Sequence, residues 1–211
     1  MKKLALLLLT VALLLLLMSC AGNKADQVRK LTKPIKIAIL PFANETTDLG
    51  VSELARIFFI IGLEEKGYTV LNMDETDKIL QENGITEGGQ LSSISASELQ
   101  KKLNTEGLLY GTVIDAQYST LAIAAKKKVT IKIIVKQNEA EVWNDQESVS
   151  QSALSSLANP LQGLAEQVVN KTFEKAFAKY HGHPLEAFTE EVCYKLQEKM
   201  PGTRVEKSGW N

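Results

Sequence analysis

Two cysteines and two histidines among 211 residues leave little for the chemistry those side chains carry. Cys20 ends an apolar leader and is expected to be lipidated, so Cys193 stands alone and no internal disulfide can form. Cys193 is then either a buried structural residue or an exposed thiol open to intermolecular pairing. His181 and His183 stand two apart at a helix break. No cysteine or carboxylate cluster completes four ligands there, because Glu186, Glu190 and Glu191 belong to the following helix, so no metal is expected. A formal net charge of −1 provides no global field for nucleic acid or anionic headgroups. Also missing are a Gly-x-Ser-x-Gly elbow, a Cys–His pair with an orienting third group and a dinucleotide fingerprint. Gly88-Gly89-Gln90 lacks the preceding strand and following Lys-Ser/Thr of a phosphate cradle, and reads as loop. Asp115 with Glu106, or Asp74 with Asp77, offers paired carboxylates, but only at an ordinary surface density. No enzyme and no cofactor are expected.

The one long hydrophobic run sits at the N-terminus. Lys2 and Lys3 precede an apolar stretch over residues 4–17, interrupted only by Thr10, and Leu17-Met18-Ser19-Cys20 closes it. A basic start, a short apolar run and a small residue before the break are the parts of a secretory signal. The run is shorter than the ~20 residues a membrane-spanning helix needs. Cys20 after Leu-x-Ser reads as a bacterial lipobox, with acylation of the thiol and cleavage just before it. Residues 1–19 are then signal peptide, and 20–34 a polar, mixed-charge tether. Removing residues 1–19 leaves 192 of 211 residues and, with Lys2 and Lys3 gone, takes the charge from −1 to −3. That is enough chain for one domain with a buried core.

Within this remainder the apolar periods predict an α/β domain over 35–180. Residues 35–40 are mostly apolar, with β-branched Ile35, Ile37 and Ile39, and stop at Pro41, which predicts a strand. Asn44, Thr46, Thr47 and Asp48 supply turn and cap chemistry before a helix over 52–66 that ends at Gly67. That helix is apolar around most of its circumference at Ile57, Phe58, Phe59, Ile60 and Ile61, with Glu53, Arg56 and Glu64 as a polar stripe. Such a helix is covered on several sides, here by the C-terminal helix, or presents an interface to a partner. A strand over 68–71, a helix over 74–83 capped by Asp74, and a helix opened by the Ser95/Glu98 capping box follow. Residues 108–118 alternate Leu108, Tyr110, Thr112, Ile114 and Ala116 against Leu109, Gly111, Val113 and Asp115. The clearest alternation sets Val129, Ile131, Ile133 and Val135 against Lys128, Thr130, Lys132, Ile134 and Lys136, one face core and one wet. Lys126 and Lys127 extend the basic side, as a partner surface for anionic lipid or glycan or as edge protection. A turn over 137–139 leads to a strand over 140–149 anchored by Val142 and Trp143. A helix over 160–180, a break at 181–184 and a helix over 188–200 complete the expected order, with 181–211 as C-terminal helix and tail.

Several short stretches, in order, resemble the bacterial lipoprotein family DUF799, a domain of unknown function. They are Ile39-Leu40-Pro41-Phe42-Ala43-Asn44-Glu45, Glu65-Lys66-Gly67-Tyr68-Thr69-Val70, Asn83-Gly84-Ile85-Thr86, Leu109-Tyr110-Gly111-Thr112-Val113 and Glu141-Val142-Trp143. Pro41, Phe42 and Asn44 form the family motif. The turn departs from that family at Asn138-Glu139-Ala140, where a glycine is usual, and nothing from His181 onward matches. The resemblance implies a fold like the N-terminal domain of TolB and the periplasmic domain of CsgG, a central mixed sheet with packed helices in the order β-α-β-α-α-β-β-β-α. It also implies a self-associating envelope scaffold without catalytic residues, lipid-anchored through Cys20 to the outer membrane and facing the periplasm. By the same resemblance, Ala21 after the cysteine, in place of Asp, favours the outer membrane. The expected partners are the membrane, envelope proteins and further copies of the chain, and not nucleic acid. A secretion accessory beside a CsgG-like pore and a cell-wall-active enzyme are the alternatives.

Overall fold

The computed structural model describes residues 36–121, 124–152 and 178–201. Six strands form one mixed sheet: β1 (Lys36–Ile39), β2 (Ala43–Asn44), β3 (Thr69–Val70), β4 (Gly107–Leu121), β5 (Ala124–Gln137) and β6 (Ala140–Ser152). The path across it is β3-β1-β4-β5-β6, with β2 paired to β4 off that path. β1 runs parallel to both β3 and β4, whereas β4, β5 and β6 form an antiparallel meander. Among the described residues the elements include the helices α1 (Leu49–Glu65), α2 (Met73–Glu82), α3 (Ala96–Leu103) and α4 (Glu186–Lys199), with a 3-10 turn at Gly88–Ser93. This is the α/β domain with a mixed sheet and packed helices that the sequence predicts.

β1 explains why helices lie on both sides. Its side chains alternate between two cores, Ile37 and Ile39 joining the cluster under α1 and α4, Ala38 and Leu40 the cluster under α2 and α3. A strand buried on both faces needs two covering layers. β5 has a single apolar face, and Val129, Ile131, Ile133 and Val135 all turn it toward α1 and α4 as expected. Past the helical layers β4, β5 and β6 continue as a three-stranded arm, registered as far as Leu121 opposite Ala124.

The structure corrects several expectations. α1 starts at Leu49 because the Asp48 carboxylate accepts from the Gly50 and Val51 amides. Arg56 does not line a wet stripe: it is 2% exposed. Its Nε donates to the Ile39 carbonyl at 3.1 Å, and its two terminal nitrogens hold Asp77 at 2.9 and 2.6 Å. The α2 cap is Asn72, whose side chain accepts from the Asp74 and Glu75 amides, so Asp74 sits inside the helix. A bulge between Val113 and Asp115 reverses the facing of β4 beyond it, placing Ala116 against the α1/α4 core. Gly88 opens a 3-10 turn where a loop was expected.

The proposed interface on α1 is also overturned. Ile57, Phe58, Phe59 and Ile60 are 0, 8, 0 and 1% exposed, and only Ile61 is partly accessible. The cover is the chain's own. α4 runs along α1 and contributes Phe188, Val192, Cys193 and Leu196 to the same core. Gln197 donates to the Phe58 carbonyl at 2.9 Å, and Lys66 reaches the Gln197 carbonyl. The helix expected over 160–180 lies outside the described residues except for 178–180, which are helical.

Candidate functional site

The motif residues do local structural work first. Phe42 crosses β4 at Gly111 to enter the larger core, its ring 5.7 Å from that of Phe59. A β-carbon at Gly111 would stand 2.4 Å from the Phe42 ring, so the crossing requires glycine there. Asn44 accepts from the Thr46 amide at 2.9 Å and donates to the Asp48 carbonyl at 2.9 Å, shaping the loop that presents the α1 cap. Gly88 packs on the backbone of Pro41, Phe42 and Ala43, where a β-carbon would lie 2.3–2.5 Å from main-chain atoms.

That close approach leaves an open cleft of ≈ 600 Å³ beside the motif, between the 3-10 turn, the α3 N-terminus and β4–β5. Tyr110, Thr112, Ser93, Ser95, Lys136 and Glu139 bring hydroxyls and charge to its wall. Its size falls within the range of small-ligand sites. The Lys136 ammonium lies 5.2 Å from the centre of the Tyr110 ring. Burial, with Glu139 adding to it, pushes the Tyr110 phenol up to about 12, so at neutral pH it is a hydrogen-bond donor and not a base. Glu139, on the β5–β6 turn, accepts from the Ser97 amide at 2.8 Å, and this bond leads the influences that hold its carboxyl below its ordinary value. The cleft can therefore bind by hydrogen bonding and charge.

Of the residues singled out by sequence, Cys20 lies outside the described residues. Of the motif stretch only Ala43, between Phe42 and Asn44, lines the cleft; Pro41, Phe42 and Asn44 themselves do not. The histidines serve two different carboxylates, His181 Nδ1 standing 3.3 Å from Glu186 and His183 Nε2 3.1 Å from Asp48. Among the described residues no group of three or more His, Cys, Asp or Glu could hold a metal ion. Arg56, Tyr110, Lys136 and Glu139 were missed as site or support residues. The close-packed Gly88 was the available signal for the cleft, since two glycines before a serine-rich stretch mark a tight backbone approach as readily as a loop.

A family profile described as "Putative lipoprotein GNA1162-like" matches residues 27–196. The chain belongs to this lipoprotein family. It is the DUF799 family that the motifs resemble. The GNA1162-like family places it among lipid-anchored proteins of the bacterial envelope. One relative, "Putative lipoprotein NMB1124/NMB1162" of Neisseria meningitidis serogroup B, is 24% identical over 171 residues, covering 78% of this chain and 80% of the relative. The crystal structure of lipoprotein GNA1162 from Neisseria meningitidis superposes with a TM-score of 0.55 at 22% identity, covering 67% of this chain and 99% of that one. A PelC dodecamer from Paraburkholderia phytofirmans gives a TM-score of 0.48 at 14% identity, covering 80% of this chain and 89% of its own. Among the described residues no helix is long and apolar enough to cross a membrane.

Proposed function

We propose that this protein is a non-enzymatic binding module, held by lipid at Cys20 on the periplasmic face of the outer membrane. The observation that carries this reading is a lipobox at Leu17-Met18-Ser19-Cys20 in a chain of a lipoprotein family. Acyl chains contribute ~0.8 kcal/mol per buried CH₂, and stable anchoring takes more than one chain, as lipoprotein processing supplies. Residues 1–19 are the signal, 20–34 the tether, 35–180 the binding domain, and 181–211 the C-terminal helix and tail. The cleft beside Ala43, with its hydroxyls and charged groups, supports a binding role. Cys20→Ala tests the anchor by fractionation. The expected result is release from the membrane or accumulation of precursor; a fully processed protein that stays in the outer-membrane fraction would falsify the reading.

Self-association is a second reading, and it rests on the sheet edge and no longer on α1. β6 is a thirteen-residue edge strand with neither proline nor lysine, and among the described residues nothing pairs with its outer side. Edges of this kind accept a further strand. Light scattering on the chain starting at Ala21 decides it. A mass of one chain at micromolar concentration, unchanged by Gln146→Pro in β6, rules it out.

A further inference from the structure

The polar groups of the cleft divide into those already satisfied and those still open. Glu139, the carboxylate in its wall, is satisfied: the Ser97 amide donates to it at 2.8 Å, and hydrogen bonds from the Ala96 amide and the Ser97 hydroxyl add to that hold. Ser93 and Ser95 are used locally, Ser93 Oγ donating to the Gln90 carbonyl at 2.7 Å and Ser95 Oγ accepting from the Glu98 amide at 3.2 Å. The hydroxyls of Ser92, Tyr110 and Thr112 and the ammonium of Lys136 have no hydrogen-bond partner among the described residues. Lys136 is half-buried, forms no ion pair among those residues and rests against the face of Tyr110. What the cleft still offers is one positive charge and a set of hydroxyl donors.

These donors are held in place. The β5–β6 turn is pinned to α3 by Glu139 on the Ser97 amide and by the Asn138 amide, which donates to the Gln100 side chain. Gln100 is buried and donates in turn to the Glu106 carbonyl at 2.6 Å, so the turn, α3 and the start of β4 hold one another. A ligand meets a wall that needs little ordering. Across from it Gly89 leaves room, since a β-carbon there would meet nothing within 4 Å.

Charge decides the kind of anion. One lysine, with no arginine in the wall, balances one negative charge. A phosphate monoester brings about −1.5 to −2 and is better met by an arginine fork or several cations. The cleft's ≈ 600 Å³ exceeds what a bare carboxylate fills, and leaves space for a body beside Ser92, Thr112, Leu91 and Ile94. We propose that the cleft binds a small polar molecule bearing one carboxylate, which pairs with the Lys136 ammonium and accepts from the Tyr110 hydroxyl. This names the ligand class of the cleft already read as a binding site, and rests on that reading. The C-terminal end of a short peptide and a hydroxy acid carry the same chemistry.

Amide NMR on the full chain in detergent tests the assignment, with the dipeptide Ala-Ala, its C-terminal amide, gluconate and inorganic phosphate as probes. Ala-Ala or gluconate is expected to shift the amides of Gly89, Tyr110 and Lys136 saturably below about 10 mM, and the tighter of the two names the body. The amide-blocked dipeptide should bind at least about fivefold more weakly than the acid, and Lys136→Gln should cost about tenfold, with most of it restored in Lys136→Arg. Lys132→Gln, the same change at an exposed position of β5 outside the cleft lining, should stay within about twofold. No saturable shift with either acid, equal binding of the blocked dipeptide, tighter binding of phosphate, or an equal loss in Lys132→Gln overturns the proposal. The acid-against-amide comparison is made on the wild type and holds whatever the variants do to folding. Cys20→Ala does not touch the cleft, so failure of the anchored-module reading appears in fractionation and failure of this assignment in the titration.

Discussion

The two halves of β4 and β5 are made from similar alternating sequence, yet one half is interior and the other an arm. Near Gly107 both faces are covered: Leu108 and Leu109 point to opposite cores and both are 0% exposed. Around Gln117 and Lys128 only the α1/α4 face is apolar, and the other carries hydroxyls, amides and lysines. Alternation of side chains fixes which residues share a face, but the number of layers that arrive fixes how many faces are buried. The α2/α3 layer stops early because α3 is a single eight-residue helix. The covered half is therefore the source of stability, and the arm is free to vary in chemistry without unfolding the rest.

Substitutions should separate the halves, beginning with the covered one. Arg56→Ala removes a buried guanidinium held by three hydrogen bonds and leaves Asp77 without its partner. It should cost about 3–5 kcal/mol in urea unfolding, and less if replaced by Met, which keeps much of the volume. Phe42→Ala, which empties the space over Gly111 and beside Phe59, should cost about 3 kcal/mol by the same measurement. Hydrogen exchange should then rank the two regions: amides of β1 and of the Gly107 end of β4 open only with global unfolding, and those from Gln117 outward exchange sooner. Equal protection along the whole of β4 would break the contrast. Lys128→Ala, in the arm, should change stability by under about 1 kcal/mol despite removing an ion pair.

The smallest effect is a titration. Burial raises the Asp115 carboxyl, but hydrogen bonds from Lys128 and Gln117 outweigh it and leave the group below its ordinary 3.8. Its folded value is depressed, so its small stabilising contribution is present above pH 3.8 and is lost as the pH falls through the folded value. Carboxyl NMR in Lys128→Ala should show the value moving upward; no movement would assign the depression to other groups.

Periodicity made β5 legible, because its four core residues alternate without interruption and any other register would bury lysine. It did the same for the apolar circumference of α1, but could not say what covers it. The partner is α4, more than a hundred residues later, and the contact depends on Gln197 reaching the Phe58 carbonyl across the seam. Arg56 was misread because helical spacing places a cation on a face without revealing that Ile39 and Asp77 wait there to satisfy it. The bulge after Val113 was hidden for a related reason: an extra residue leaves the alternation intact on either side and only reverses its sense. Pro41, Phe42 and Asn44 were visible as a motif, whereas the cleft needed Gly88, Tyr110 and Lys136 from three separate stretches.

Cys193 turns the seam between α1 and α4 into something that can be timed. Its thiol is 1% exposed and faces the Ala55 carbonyl, and burial, with Glu190 adding to it, pushes its pKa well above the ordinary value. In the native state it is both hidden and protonated, and so inert twice over toward a thiol reagent. If Cys20 is acylated as proposed, the rate of labelling counts how often the two helices part. A single residue with no chemical role thus serves as a native clock for the contact that holds the fold closed.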